Sequence, residues 1–424
     1  MFGRLRRLAL DFTPLRASRD FRLLFAGQVV SNLGTQAALV ALPFQIFVIS
    51  HSPALVGLLG AFELGPMIVV SLLGGALADR VDRRRQLAVA QLGVIAAAAA
   101  LAIAAAAGHP PVLLVLILGG LLAGSASLDG VTRSAIIPNV LPAERLRGGL
   151  ALNYGIYQLT GIVGPAVGGL LIASTSLSTT YVVDAVSCLA MLAAALAIGP
   201  QRPVHREQHP PVLHSIAEGL RFVRSNSALS GSFAIDLVAM TFGMPRALFA
   251  VLSLTVYHAG ASGVGLMYSA VGLGGTIAVL TSGWITHARR LGLIVIGSVL
   301  AWGASIALAG LMDTIAPALV FLAVAGIADG VSAVCRTTIN QTVTPDGLRG
   351  RMSAVYNLVV TSGPRFGDIE SGSVAGATSA MFSVVSGGIA CVLGVGVIVV
   401  AFPELAAYGR AQPSQLSVPP VRSG

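Results

Sequence analysis

The chain has 424 residues, 55% of them hydrophobic and only 10% charged, with a mean hydropathy of +0.85. Soluble domains carry roughly 25% charged residues, so this composition excludes a water-soluble globule. The net charge is +9, and all 26 basic residues are arginine; without a lysine there is neither a Walker A nucleotide motor nor a Schiff-base enzyme.

Apolar stretches of about 20 residues recur along the chain without strand-like alternation. This predicts an all-α polytopic membrane protein and excludes a β-barrel. Residues 1–20 form a short arginine-rich N-terminal segment, expected in the cytoplasm. The first span, 21–49, is too long for a cleaved signal peptide and carries Asn32 and Gln36, two candidates for a substrate cavity. The second, 53–78, holds a single charge, Glu63, and ends in GALADRVDRRR, where six charges crowd seven positions. Spans follow at 87–107 and 112–133, the latter with Asp129 and, at its inner end, Arg133. The fifth, 149–173, carries Tyr154, Tyr157 and the run GIVGPAVGG, and the sixth, 179–199, carries Asp184, expected to be structural.

A polar connection over 200–228 divides the chain, and Ile216, Leu220 and Val223 repeat within it at helical spacing. It reads as a linker with an amphipathic helix on the cytoplasmic face. The second set of spans falls at 229–257, 262–286, 292–312, 316–338, 352–376 and 379–402, followed by a cytoplasmic, disordered tail over 403–424. The seventh span holds Asp236, Phe242 and Arg246, and the eleventh holds Arg365, Asp368 and Glu370. A charge deep in a membrane costs about 2.5 kcal/mol or more, so each of these six deep charges, Glu63 included, should face a cavity or a partner. A fixed ion pair and a protonatable carboxylate are the two readings. Under the second, protons would bind from the acidic side and leave to the cytoplasm.

Arginines concentrate in the N-terminal segment and the even-numbered connections, while HSP, GHPP, STSLSTT, HAGAS and DTIAP contain none. This places both termini in the cytoplasm, so the basic charge is a topology signal and not a nucleic-acid footprint. Cys188, Cys335 and Cys391 lie scattered in apolar runs, as small core residues rather than disulfides or metal ligands. The two sets of spans are related. SPALVGLL at 52–59 aligns with ASGVGLMY at 261–268, and LDGVTRSAIIPNVLPAERLRG aligns with ADGVSAVCRTTINQTVTPDGLRG. Asp329 and Arg336 are thus the counterparts of Asp129 and Arg133. Two parallel six-span halves, 21–199 and 229–402, are a transporter architecture.

GALADRVDRRR resembles motif A of the major facilitator superfamily, and GIVGPAVGG resembles motif C, a fifth-span feature of its antiporters. LPFQIFVISHSPALVGL followed by GGALADR, and YSAVGLGGTIAVLTSG in the second half, are similar to the branch containing the enterobactin exporter and drug:proton antiporters. Asp82 stands where the motif A signature has glycine, and the second-half copy is reduced to SGWITHARR. The resemblance implies a latch in which Asp79, with Gly75, Arg80, Arg83, Arg84, Asp129 and Arg133, closes the cytoplasmic side against span eleven. For motif C it implies close packing and bending at Gly161, Gly164, Pro165, Gly168 and Gly169. It also packs span two against span eleven, which makes Glu63 and Arg365 candidates for an interdomain pair; Arg246 lies at the height of Asp368 and Glu370.

The expected function is secondary active export of a small amphipathic, siderophore-like molecule by proton antiport and alternating access. Arg246 and Arg365 suit an anionic ligand, Glu63 and Asp236 a cationic one. A multidrug efflux pump is the alternative, and a non-transporting membrane receptor a third reading. The expected partners are the small-molecule substrate, protons and the cytoplasmic-membrane bilayer. The chain is expected to act as a monomer with no cofactor and no metal, and not as an enzyme.

Overall fold

The computed structural model describes residues 12–78, 81–201 and 212–409. Asp79 and Arg80, the centre of the expected latch, lie outside the described residues. Among the described residues every regular element is helical.

The first six spans are Arg19–Ser50, Pro53–Ala78, Arg83–Ala106, Val112–Val140, Ala143–Ser174 and Leu177–Ala197. Spans four and five start after Pro111 and Pro142 without a side-chain cap, whereas the starts of spans one, three and six are set by side chains that accept otherwise orphaned amide protons. Ser18 Oγ accepts from Phe21 N at 3.1 Å, and Ser176 Oγ accepts from Thr179 N at 3.0 Å. Asp82 caps span three, its Oδ1 accepting from Arg84 N and from Gln201 N, each at 3.0 Å. The aspartate that departs from the motif A signature therefore has its own task. Arg83 Nη1 donates to Ala135 O at 2.9 Å and Arg84 Nη1 to Ile198 O at 3.3 Å. These two arginines tie the inner ends of spans four and six to span three.

The second half begins with the surface helix Val212–Ser225 and continues as Ser227–Phe242, Leu248–Thr255, Gly260–Thr281, Leu291–Gly310, Ile315–Val343, Arg349–Ala377 and Ala380–Ala401. Span seven, expected as one helix over 229–257, is broken: Gly243 ends its first segment and the second starts at Leu248. Pro245 donates no amide and disfavours helix at Met244, so the helix stops there. The surface helix does not merely lie flat. Val223 packs with Met352 and Val355 at the start of span eleven, while Leu220 stays exposed. Glu218 Oε1 meets Arg351 Nη1 at 2.7 Å. The expected tail from 403 opens as the helix Pro403–Ala407, whose Leu405 is fully buried against spans seven and nine.

Among the described residues, ten helices are long and apolar enough to cross a membrane. The other two crossings are the broken span seven and span eleven, whose Arg349, Arg351, Arg365, Asp368 and Glu370 make it the polar one. Within the first half, span one packs on spans five and six, span two on four, and span three on four and six; the second half repeats this with nine on ten and twelve, and eight on ten. The halves meet along two seams, span two with eleven and span five with eight.

Both seams close through facing glycines at the side opposite the chain termini. A Cβ on Gly372 would meet Gly57 Cα at 2.5 Å, and one on Gly169 would meet Gly265 Cα at 3.0 Å. Gly57 and Gly265 are the glycines of the VGL shared by SPALVGLL and ASGVGLMY, so the two seams use equivalent positions of the repeat. Nearer the terminal side Leu73, Tyr154, Tyr157 and Leu280 are exposed. The glycine contacts between the halves are thus tightest toward the face opposite the termini.

Candidate functional site

The deep charges gather beneath the glycine seam of spans two and eleven. Glu63 Oε2 lies 2.9 Å from Arg365 Nε, an ion pair joining span two of one half to span eleven of the other. Glu63 is ten residues from the start of its helix, roughly 15 Å below the far face. Arg365 also reaches Asp368 Oδ2 at 3.5 Å, one helical turn on. Asp368 Oδ1 accepts from Ala247 N at 3.0 Å, so this carboxylate sits on the first free amide of the second segment of span seven. Tyr268 of span eight donates to the Arg246 carbonyl at 3.2 Å and holds the same break from the other side.

Arg246 differs from the expectation that it would pair with Asp368 or Glu370. Its guanidinium makes no ion pair among the described residues, because Asp368 is taken by the Ala247 amide and by Arg365; instead Arg246 lines one small cavity with Asp329. Glu370, on another face of span eleven, is half-buried and stands apart from the other charges. Asp236, expected in the cavity, is buried with Arg336, whose Nη1 lies 2.9 Å from its Oδ1. Arg336 also reaches Asp329 Oδ1 at 3.8 Å and donates to Ser332 Oγ at 3.1 Å.

The first half carries a smaller network. Arg133 Nη2 and Asp129 Oδ2 are 3.0 Å apart, Gln91 Nε2 donates to Asp129 Oδ1 at 2.8 Å, and Arg133 Nη1 donates to Asn32 Oδ1 at 3.4 Å. Arg133, expected at the inner end of span four, sits deeper. The helix runs on to Val140, which lifts Arg133 about 10 Å into the span, where it meets the middle of span one. Asn32 is thereby engaged with Arg133 rather than lining a cavity alone. Asp184 is buried between spans one and six, with Thr35 Oγ1 donating to its Oδ1 at 3.2 Å.

Motif C is a packing surface with two sides. Gly161 and Gly164 receive Gln36 of span one, Gly168 receives Ala37, and Gly169 turns to Gly265 of the opposite half. Gln36, expected at the cavity, is therefore packed between spans one and five within the first half. Pro165 lies inside the helix and its carbonyl abuts Gly265. Ser269 Oγ donates to Ile162 O at 2.6 Å and extends the five–eight seam one turn inward. Below it on span five, Tyr154 and Tyr157 are both exposed. Phe242 ends the first segment of span seven. Sequence reading leaves Asp329 and Arg336 outside the candidate site. Their alignment with Asp129 and Arg133 is the available signal, but it suggests a rim network and not a core one.

A family model described as transmembrane secretion effector matches residues 9–422. The chain is 29% identical over 361 residues to the enterobactin exporter of Shigella boydii serotype 4, covering 84% of this chain and 86% of that protein. It is 27% identical over 418 residues to the enterobactin exporter of Citrobacter koseri, covering 98% of each. The fold is that of a bacterial homolog to the human lysosomal transporter Spinster, solved in an inward-facing and unoccupied conformation. That match has a TM-score of 0.68 at 14% identity, with 92% of this chain and 96% of that chain covered.

Proposed function

This chain belongs to the transmembrane secretion effector family of the major facilitator superfamily, a transporter and not an enzyme, and from that premise we propose that it exports a siderophore-like molecule by proton antiport. The enterobactin exporters it resembles over most of its length support the substrate class. The arginine bias of the terminal side supports placing that side in the cytoplasm, and the exposure of Leu73, Tyr154, Tyr157 and Leu280 there, opposite the glycine seams, supports a form open to the compartment from which an exporter loads. One chain supplies both halves and the cavity between them, and the working unit is a monomer.

The observation that carries the proposal is the Glu63–Arg365 pair, an ion pair that joins the two halves beneath the far-face seams. A carboxylate held by a guanidinium of the other half ties the halves together, and a proton on Glu63 removes that tie. Substrate loaded from the cytoplasmic side drives the far face open against this tie. A proton from outside neutralises Glu63 there as the substrate leaves, and the protonated form closes and gives its proton to the cytoplasm, which restores the pair. Tyr154 and Tyr157 at the cavity wall offer aromatic faces to an amphipathic ligand.

The test is export of labelled enterobactin from whole cells, with and without the chain and with and without an uncoupler. Export that depends on the chain and stops with the uncoupler is expected. Retention unaffected by deletion and by uncoupler contradicts the proposal.

A further inference from the structure

The deep charges of the second half and Glu63 of the first are linked. Asp236 and Asp329 share Arg336. Glu63 and Asp368 share Arg365. Arg246 stands between the two groups: it lines one small cavity with Asp329 and precedes Ala247, whose amide donates to Asp368, while forming no ion pair of its own among the described residues. Four carboxylates thus face three guanidiniums, and the set runs unbroken from the wall of the second half to span two of the first.

The neighbouring polar groups do not supply the missing positive charge. Tyr268 spends its hydroxyl proton on the Arg246 carbonyl, and Trp302 of span nine spends its indole N–H on the Gly243 carbonyl at 2.8 Å. Ser332 is taken by Arg336. Arg133 is balanced by Asp129 in its own half, and Glu370 is electrically apart. Water is scarce around three of the acids: the side chains of Glu63, Asp236 and Asp368 are 7%, 2% and 9% exposed, whereas that of Asp329 is 29% exposed. An uncompensated charge in such a place is neutralised rather than tolerated.

We infer that these seven side chains act as one unit that binds a single exchangeable proton, shared among its four carboxylates and exchanged with the cavity through Asp329. This rests on the proton-antiport reading and extends it, since the proton belongs to the set and not to Glu63 alone. In the exchange the proton adds to a carboxylate oxygen lone pair and later returns to water; no other bond changes. When it sits near Glu63 the interdomain tie is loosened, and when it sits near Asp329 it is in contact with the cavity.

Charge count gives a test that a lone proton acceptor does not mimic. The purified full chain in lipid is followed by infrared difference spectroscopy of the carboxyl C=O stretch across a pH step, alongside pH-gradient-driven flux of labelled enterobactin in proteoliposomes. In an Asp184→Asn background, which removes the one buried carboxyl of the first half that stands apart from the set, the chain is expected to show one exchangeable carboxyl band. Glu63→Gln and Asp329→Asn, at opposite ends of the set, each leave three acids against three arginines, and each is expected to lose it. Asp329→Glu keeps the count and the band. The paired Asp236→Asn/Arg336→Gln change removes one charge of each sign and is expected to keep the band whatever its transport rate. A band that survives Asp329→Asn, or that disappears in the charge-balanced pair while Asp329→Glu retains it, overturns the inference. So does a sodium gradient that replaces the pH gradient in driving flux. An exchangeable band that behaves as expected in a chain without pH-driven flux would instead sink the antiport reading and leave the shared proton standing.

Discussion

The two halves descend from one repeat, yet they hold their charges differently. In the first half the deep charges are one balanced pair, Asp129 with Arg133, the buried acid Asp184 held by Thr35, and Glu63, whose partner lies across the interface. In the second half Asp236, Asp329, Asp368, Arg246, Arg336 and Arg365 collect around a span that is broken where its counterpart, span one, is continuous. The glycine seams, by contrast, stayed alike in both halves. The seam surfaces of the two halves match while their electrostatics differ, and the second half holds the larger cluster of charges.

The asymmetry can be broken most severely at Arg336. Its removal as Arg336→Ala leaves Asp236 buried without a partner, a change that typically costs about 3–5 kcal/mol. Poor expression or a steep fall in melting temperature is expected. The equivalent Arg133→Ala should cost less, because Asp129 keeps Gln91 as donor and is more exposed. Equal losses at the two sites would say that the halves are not specialised.

The symmetric element can be strained next. Gly372→Ala places a Cβ against Gly57 Cα, and overpacking of this kind costs about 1–3 kcal/mol. A population shift toward a form open at the far face is expected, read as longer distances between spin labels at the far ends of spans two and eleven. Gly169→Ala should move the five–eight seam in the same direction. A shift at one seam and none at the other would deny that they work as a pair. The smallest effect belongs to Asp82→Ala, which removes the cap of span three and should lower stability by about 0.5–2 kcal/mol with transport retained.

Much of this is open to reading in the sequence. Apolar run lengths place the helices, the arginine-free odd connections point to the topology, and the depths of Glu63 and Arg365 suggest that they meet, as the structure places them. Other features escape for physical reasons. TFGMPRALF is apolar nearly throughout, so hydropathy passes over the break that Pro245 makes in span seven. Span four outlasts its apolar core because Arg133 is held from within by Asp129 and Asn32, and a hydropathy window ends where the charges begin. Asp329 and Arg336 look like rim residues from their repeat partners, and only the packing of span seven against span ten brings Asp236 to them. Ion pairs between distant spans depend on helix rotation and tilt, which a single sequence leaves open.

The central claim is that transport is coupled through the pair that joins the halves. Its most direct measurement is pH-gradient-driven flux in proteoliposomes for Glu63→Arg, for Arg365→Glu and for the two combined. Each single change puts two like charges face to face and should reduce flux at least about tenfold, the equivalent of about 1.4 kcal/mol. The combined change restores opposite charges at the same contact and is expected to recover a measurable part of that loss. Full flux in either single variant, or a double variant no better than the worse single, would contradict the account.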